Sequence, residues 1–440
     1  MIVDVFILNY NGAHFLPRCL ESVLASHVDG ISLSIIVADN GSTDNSADIV
    51  QRFHGVEWLP LGGNHGFVRG NNKAVRRRLA DRTTANLPAP DVLIFLNNDV
   101  EVSTDWLACL LDPFNQEDVG IVGAKSLFLD HFVSLTVRCE SELEEKKERR
   151  ASLTTSLAIE GGSHPSLSEP GRVKGLGSTS SHDGVTWLIR NEATLLVPAY
   201  IEKPTSLKLR ISSPSDISSS RIVLSHNEER LCEQTLVGGE TQAVSVELSP
   251  RLARPFIQNA GTFVRAGLVV GDRGFLQEDR GQFSTQEDIS AVCGVSLAIR
   301  RSLFEKLDGF SEDFVSYYED VDLSLRARLL GYRCIYAPLA ILGHVHAGSG
   351  IEGSAYFTRS VSESRIMFLS RYASPLHFWG RVWKELVRAC QEAALPKTDP
   401  RPHTLACRGC LSRAGSIFRN RLLYWAKGYF WRIPELVGRL

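Results

Sequence analysis

Long apolar runs are missing from this chain. No stretch approaches the roughly 18–20 residues that cross a bilayer, which argues against a membrane-spanning protein. The start, Met1-Ile2-Val3-Asp4-Val5, lacks a basic segment followed by an apolar one and reads as a strand, so no signal peptide is expected. Cysteine is sparse: nine in 440 residues, odd in number and without framework spacing. A reducing compartment with free, mostly buried thiols follows. Cys407-Arg408-Gly409-Cys410 near His403 has no second ligand pair to make a zinc site and reads as two thiols near a helix start. There is no excess of one charge either. A net −2 excludes a general nucleic-acid binder, and no internal repeat stands out.

What is present is ordinary globular composition, 43% hydrophobic and 22% charged, long enough for two or three domains. The charge is uneven. From Arg371 to Leu440 there are 13 Lys and Arg against 4 Asp and Glu, a net +9, leaving −11 for the rest. Residues Ile417–Leu440 mix Phe418, Leu422, Leu423, Trp425, Tyr429, Phe430 and Trp431 with Arg419, Arg421, Lys427, Arg432 and Arg439. Such helices suit an anionic membrane interface, the alternative being a helix packed on the body with a solvated basic face. The expected location is cytoplasmic, peripheral on the inner face of the cell membrane if the tail binds lipid.

Solid apolar strands at Val3–Leu8, Leu33–Ala38, Val56–Leu59, Val92–Leu96 and Val119–Val122 alternate with helical spacing at Phe15–Leu24, Asp44–Phe53, Val68–Leu79 and Trp106–Phe114. The expectation is α/β: a mostly parallel sheet with flanking helices, ligands lying beyond the strands' carboxyl ends. From about Asp130 the style changes. Glu140–Arg150 reads as a solvated helix or linker, and Ser152–Ser181 as loop. Short period-two segments follow at Thr186–Ile189, Ala193–Pro198, Ser206–Ile211, Arg221–Ser225, Glu233–Val237 and Gln242–Leu248, suggesting an inserted antiparallel β-sandwich. The expected division is 1–129, 130–255, 256–372 and a helical tail at 373–440.

Five polar constellations punctuate this pattern. Asp39-Asn40-Gly41-Ser42-Thr43-Asp44 follows a strand, either as an Asx turn with a helix cap or with Asp39 accepting from a nucleotide. Asn64–Asn72, with Gly66 and Gly70, is a glycine loop whose backbone could approach a diphosphate at a helix start. Asn97-Asn98-Asp99 places a carboxylate directly after a buried strand, either in a β-turn or partnered by a divalent cation. Glu319, Asp320 and Asp322 crowd one helix start, where crowding can raise a carboxyl pKa and leave a general base. Asp322 and Arg326 have the spacing of an ion pair on one helix face. His344 and His346 alternate at a strand end, as structural residues or as ligands.

Taken in this order, the motifs resemble the nucleotide-sugar glycosyltransferases of family 2, with the A-type Rossmann-like fold, and most nearly their bacterial rhamnosyl- and galactofuranosyltransferase-like branch. The likeness rests on Ile7–Gly12, Asp39–Asp44, Asn64–Asn72, Leu96–Asp99, Cys293–Arg301, Gly309–Arg326, His344–Ser349 and Ser364–Leu369. It covers about 1–128 and 256–372. The resemblance implies that Asp39 contacts the base and that Asn9, Asn40, Gly66, Asn71, Asn72, Asn97 and Asn98 lie on the donor side. It puts Asp99 and His344 on a Mn2+ or Mg2+ ion, although Asn97 replaces the acid that the family often has there. Asp320 falls on the catalytic base, and Gly294 with Glu319 borders sugar and acceptor. The implied activity is inverting, metal-dependent transfer from a nucleotide-sugar to a glycan or lipid-linked glycan in bacterial surface polysaccharide synthesis. No Ser-His-Asp or Cys-His arrangement asks for a covalent nucleophile. The alternative is a non-catalytic glycan-binding protein on a degenerate version of the fold. A nucleotidyltransferase would need a Gly-rich, basic signature that Asn9-Tyr10-Asn11-Gly12 is not.

Overall fold

The computed structural model describes residues 1–26, 28–142, 155–162, 173–174, 177–181, 184–189, 192–213, 219–227, 229–345, 354–393 and 401–427. The chain divides into two compact units, Met1–Leu129 with Ile257–Leu440, and Asp130–Phe256.

The first unit opens with strict alternation. β1 (Ile2–Asn9), α1 (Leu16–Ala25), β2 (Ser32–Asp39), α2 (Ser46–Val50), β3 (Val56–Pro60), α3 (Gly66–Thr84), β4 (Val92–Leu96), β5 (Val100–Val102), α4 (Trp106–Leu111) and β6 (Val119–Phe128) follow one another. Strands β3, β2, β1 and β4 lie side by side and parallel. They read as near-continuous apolar runs because both faces are covered. Phe6, Ile36 and Phe95 meet Val68, Ala74 and Val75 of α3 on one face. Val5, Ile7 and Val37 meet Leu16, Leu20, Ile49 and Trp106 on the other. Asp4 is the exception within β1. Fully buried, it accepts from Arg82 Nη2 at 2.5 Å and Arg82 Nε at 3.2 Å, with Arg78 Nε at 3.4 Å. Those arginines, one turn apart on α3, make a charge in the sheet tolerable.

The second unit holds β7 (His131–Glu142), β8 (Thr155–Gly162), β9 (Val173–Lys174), β10 (Gly177–Ser181), β11 (Gly184–Ile189), β12 (Glu192–Ala199), β13 (Thr205–Ser212), β14 (Ser219–His226), β15 (Glu229–Val237) and β16 (Thr241–Leu248). They form two five-stranded sheets, β10-β11-β8-β13-β16 and β15-β14-β7-β12-β9, with antiparallel pairing throughout. Val133, Leu135, Leu195 and Leu224 of one share a core with Leu207, Leu209, Val244 and Val246 of the other. The six period-two segments all fall on strands. The stretch expected to be loop differs, since it contains β8, β9 and β10. In β8, pairing on both sides by β11 and β13 overrides its weak intrinsic preference. Part of the expected charged linker belongs to β7, and 143–150 lies outside the described residues.

The first unit resumes with β17 (Phe256–Asn259), β18 (Thr262–Arg265), β19 (Val269–Asp272), β20 (Gln277–Glu278), β21 (Glu287–Asp288), β22 (Ser296–Arg300), α5 (Arg301–Lys306), α6 (Glu319–Leu329) and β23 (Arg333–His344). β22 inserts between β4 and β6, antiparallel to both. β23 runs parallel to β6, and its end pairs with β5. Four helices close the described chain: α7 (Ala355–Tyr372), α8 (Pro375–Ala393), α9 (Pro402–Ser412) and α10 (Ala414–Ala426). The helix expected at Ile417–Leu440 is seen through α10, with 428–440 outside the described residues. No described helix is long and apolar enough to cross a membrane, and all nine cysteines are free.

Candidate active site

Parallel register places the first polar residues at one edge of the sheet. Asn9 is opposite Asp39, and Ile7 is opposite Leu96, so Asn97, Asn98 and Asp99 emerge beside Asn9. Asn98 Nδ2 donates to Asn9 Oδ1 at 2.8 Å, and Asn9 Nδ2 donates to Ser42 Oγ at 3.1 Å. Asp39 Oδ1 accepts from the Ser42 amide, three residues on, at 3.0 Å and so closes the loop after β2. A side chain at Gly12 would overlap Asn98 Nδ2 and Asn9 Oδ1, its Cβ coming within 2.1 and 2.4 Å of them. Glycine is therefore needed for this cluster to close.

The asparagines around the α3 start do different work. Asn40 Oδ1 accepts from the His65 amide at 2.9 Å, fixing the Gly63–Gly66 turn to the end of β2. Asn71 donates to Phe67 O at 3.0 Å within its helix. Asn72 exchanges two hydrogen bonds with the Phe310 backbone, at 2.8 and 3.0 Å. Asn72 is thus a buried bracket whose amide is committed at both ends, Asn71 is buried with one bond inside α3, and Gly66 begins α3 with φ +74°.

Asp99 and His344 meet at the ends of β4 and β23. His344 Nε2 lies 3.1 Å from Asp99 Oδ1, and the Val345 amide donates to Asp99 O at 2.9 Å. Gln258 Oε1 sits 2.7 Å from His344 Nδ1. An amide oxygen only accepts, so Nδ1 carries a proton, and in the neutral ring Nε2 presents its lone pair. The Asn97 amide 3.4 Å from Nε2 is a donor, consistent with the same tautomer. That lone pair faces a buried carboxylate oxygen that has no hydrogen-bond partner. With the ring neutral, two acceptors face each other at this distance, an arrangement relieved by a proton on Nε2 or by a metal cation against both atoms. Their 3.1 Å separation matches adjacent ligands of an octahedral ion with bonds of about 2.1 Å. Asp99 and His344 therefore fit a divalent ion. Among the described residues no group of three His, Cys, Asp or Glu is placed to hold a metal, so Asp99 and His344 are the two such side chains that meet here.

The second half of the site is built on α6. The Gly294 amide donates to Asp320 Oδ2 at 2.7 Å, and the Val321 amide to Oδ1 at 2.8 Å. One residue further along, Val295 O accepts from the Asn97 amide at 3.0 Å. The lead into β22 thus ties Asp320 to the Asp99 motif. Burial, with a contribution from Asp272, lifts the Asp320 carboxyl to about 6. Glu319 is more enclosed: burial and then the Asp320 carboxylate push it to about 8, and its Oε2 has no hydrogen-bond partner. Cys293 has its thiol raised well above the usual range, burial being the largest cause. Asp322 is opposite in character. It accepts from Arg326 Nε at 2.7 Å, Arg371 Nη1 at 2.6 Å and Tyr372 Oη at 2.8 Å. Burial raises its pKa, but the two guanidiniums prevail and hold it low.

Tyr317 and Tyr318, just before α6, are both left-handed, with φ of 67° and 66°. Two such tyrosines in succession are strained, at roughly 1–3 kcal/mol each. α7 holds them there through Phe357 against Tyr317 and Phe368 against Tyr318, both at 5.2 Å between ring centres. Ser364 Oγ also donates to Ser316 O at 2.7 Å. Neither this turn nor Gln258 announces itself in the sequence. Gln258 is 86 positions from the histidine it orients, and the Gly309–Arg326 and Ser364–Leu369 resemblances marked the turn's neighbourhood without its left-handed backbone. His346 lies outside the described residues.

Residues 4–159 match the model of glycosyl transferase family 2. Over 51 residues the chain is 47% identical to an uncharacterised glycosyltransferase of Nostoc, covering 11% of this chain and 15% of that protein. Over 90 residues it is 28% identical to the N-acetylglucosaminyl-diphospho-decaprenol L-rhamnosyltransferase of Mycobacterium tuberculosis, covering 20% of this chain and 29% of the relative. The chain spans less than a third of the length of these curated relatives. A mannosyltransferase of Pyrobaculum calidifontis, solved with GDP-Man and Mn2+, aligns over 98% of this chain and 87% of its own at 13% identity and TM-score 0.40. The family model supports glycosyltransferase family 2 for residues 4–159, and two of the matched relatives are glycosyltransferases by name.

Proposed function

We propose that the chain is an inverting, divalent-cation-assisted glycosyltransferase. It would move a sugar from a nucleotide-sugar to a glycan or lipid-linked glycan acceptor in bacterial surface polysaccharide synthesis. The supporting observation is the orphaned Asp99 Oδ1 opposite the bare Nε2 of His344, beside the Asn9–Asp39 edge of a parallel sheet. In this reading Asp39, Asn9 and Asn98 shape the floor for the nucleoside. Asp99 and His344 would hold Mn2+ or Mg2+, which supplies charge stabilisation for the departing diphosphate. Asp320 takes the proton of the acceptor hydroxyl as that oxygen attacks the anomeric carbon from the face opposite the leaving group. A carboxyl near 6 suits this task, being ionised at neutral pH yet more basic than an exposed aspartate. Gly294 holds Asp320 by its amide, and the protonated Glu319 behind it keeps a second negative charge out of the site.

The rhamnosyltransferase relative makes a lipid-linked acceptor attractive, and the basic tail would bring the enzyme to an anionic membrane surface where such acceptors reside. The test is calorimetric titration with a panel of nucleotide-sugars, with and without Mn2+, followed by release of nucleoside diphosphate upon adding acceptor. Cation-dependent donor binding with acceptor-dependent release supports the reading. Absence of donor binding across the panel would remove it.

A further inference from the structure

Helix α8 is inside out. Its two carboxylates face the protein body. Glu385 is fully buried and receives Arg381 Nη2 at 2.6 Å and His403 Nδ1 at 2.8 Å. Glu392 accepts from the His403 and Thr404 amides at 3.0 and 2.8 Å. The opposite side carries Leu376, Trp379, Trp383, Leu386, Val387 and Cys390, a helical spacing that keeps all six within about one third of the circumference. They are exposed: 86% for Leu376, 63% for Trp379 and 68% for Trp383. A shallow depression of about 340 Å3 lies between Trp383 and Gln391.

α10 repeats the inversion. Asn420 points inward to Asp313 and Met367, whereas Phe418 and Trp425 are each 67% exposed and Leu422 accompanies them outside. The two helices adjoin, since the Arg421 guanidinium of α10 lies 4.9 Å from the Phe378 ring of α8.

We propose that the outer faces of α8 and α10 together seat this protein on an anionic lipid bilayer, with Trp379 and Trp383 entering the headgroup region. The proposal rests on the membrane-surface reading above and moves its main contact from the extreme tail to α8. Charge selects this occupant. Residues 401–427 contain no Asp or Glu, and both acids of α8 are turned inward, so the exposed charges are cationic, among them Lys384 and Lys427, with Arg388 and Arg419 exposed although they also reach Glu385 and Asp313. Exposed tryptophan and leucine flanked by lysine and arginine match the acyl–headgroup boundary, the rings burying apolar area while the cations meet phosphate.

The experiment uses the full chain and co-sedimentation with vesicles of phosphatidylcholine alone or mixed with phosphatidylglycerol. Wild type should bind the mixed vesicles and lose binding in high salt. Trp379→Ser with Trp383→Ser should weaken binding roughly tenfold or more, with unchanged thermal midpoint because both rings are outside the core. Lys384→Gln with Arg388→Gln should weaken it mainly at low salt. If wild type binds no vesicle, the membrane reading itself fails and takes this surface with it. Should wild type bind and the tryptophan variant bind equally well, only the assignment to α8 is overturned. A concentration-dependent dimer that the tryptophan variant breaks would instead make the face a contact between copies, and would also overturn the proposal.

Discussion

Asp320 and Asp322 are two positions apart on the same helix and have opposite chemistry. Asp322 is enclosed by two guanidiniums and a phenol and is held firmly as a carboxylate. Asp320 has two backbone amides and no arginine, so burial prevails and its proton affinity rises. Residue type and helix position do not separate them. What separates them is whether a cation reaches the carboxyl: Arg326 and Arg371 reach one face of α6, and the amide of Gly294 reaches the other.

The largest expected effect tests the chemical side of that contrast. Asp320→Asn should preserve donor affinity by calorimetry and reduce transfer by roughly two to four orders of magnitude. In the wild type, transfer should fall as pH drops below about 6, where Asp320 takes up a proton. Near-normal transfer by the folded variant would pass the role to Glu319.

Asp322→Ala probes the other side and should cost about 3–5 kcal/mol, because it leaves the Arg326 guanidinium without a carboxylate and Arg371 with Asp313 alone. The denaturation midpoint reads this out, with catalysis per folded molecule little changed. A loss of transfer without loss of stability would put Asp322 in the reaction.

The cation corner should respond more gently when its support is altered than when its ligands are removed. Asp99→Ala should abolish the Mn2+ dependence of donor binding. Gln258→Ala frees the His344 ring and should weaken Mn2+ by roughly 10- to 100-fold. Equal Mn2+ response in wild type and Gln258→Ala would break the tautomer argument.

The smallest effect is on stability against pH. Glu319 is raised from 4.5 to about 8, so between those values the native state keeps a proton that the unfolded chain has released. Stability should therefore fall as pH rises through that window. Glu319→Gln should flatten the slope in chemical denaturation at pH 5 and 8. An unchanged slope would mean that the carboxyl is not enclosed as described.

Much of the site was legible because it sits where strands end. Asn9, Asp39 and Asp99 each terminate an apolar run, and parallel register brings such positions to one edge. The Asp322–Arg326 pair followed from helical spacing. What could not be read depends on contacts distant in sequence. Asn71 and Asn72 look like donor ligands in a glycine loop, yet Asn72 is committed to the Phe310 backbone 238 positions away. Arg371 looks like the beginning of a basic tail and is a buried partner of Asp322. The β8 segment looks like a loop because neighbours on both sides, rather than its own residues, make it a strand.

The buried Asp4 has a consequence for the order in which the chain can assemble. β1 lies at the centre of the parallel strands, between β2 and β4, and its pairing removes Asp4 from water. Until Arg78 and Arg82 arrive on α3, closing that face would strand a bare carboxylate in an apolar interior. The central strand pair and a helix that begins some sixty residues later must therefore consolidate together. In kinetic terms, the rate-limiting assembly should include β1, β2 and α3 as one nucleus. Arg82→Ala should then slow refolding as well as speed unfolding.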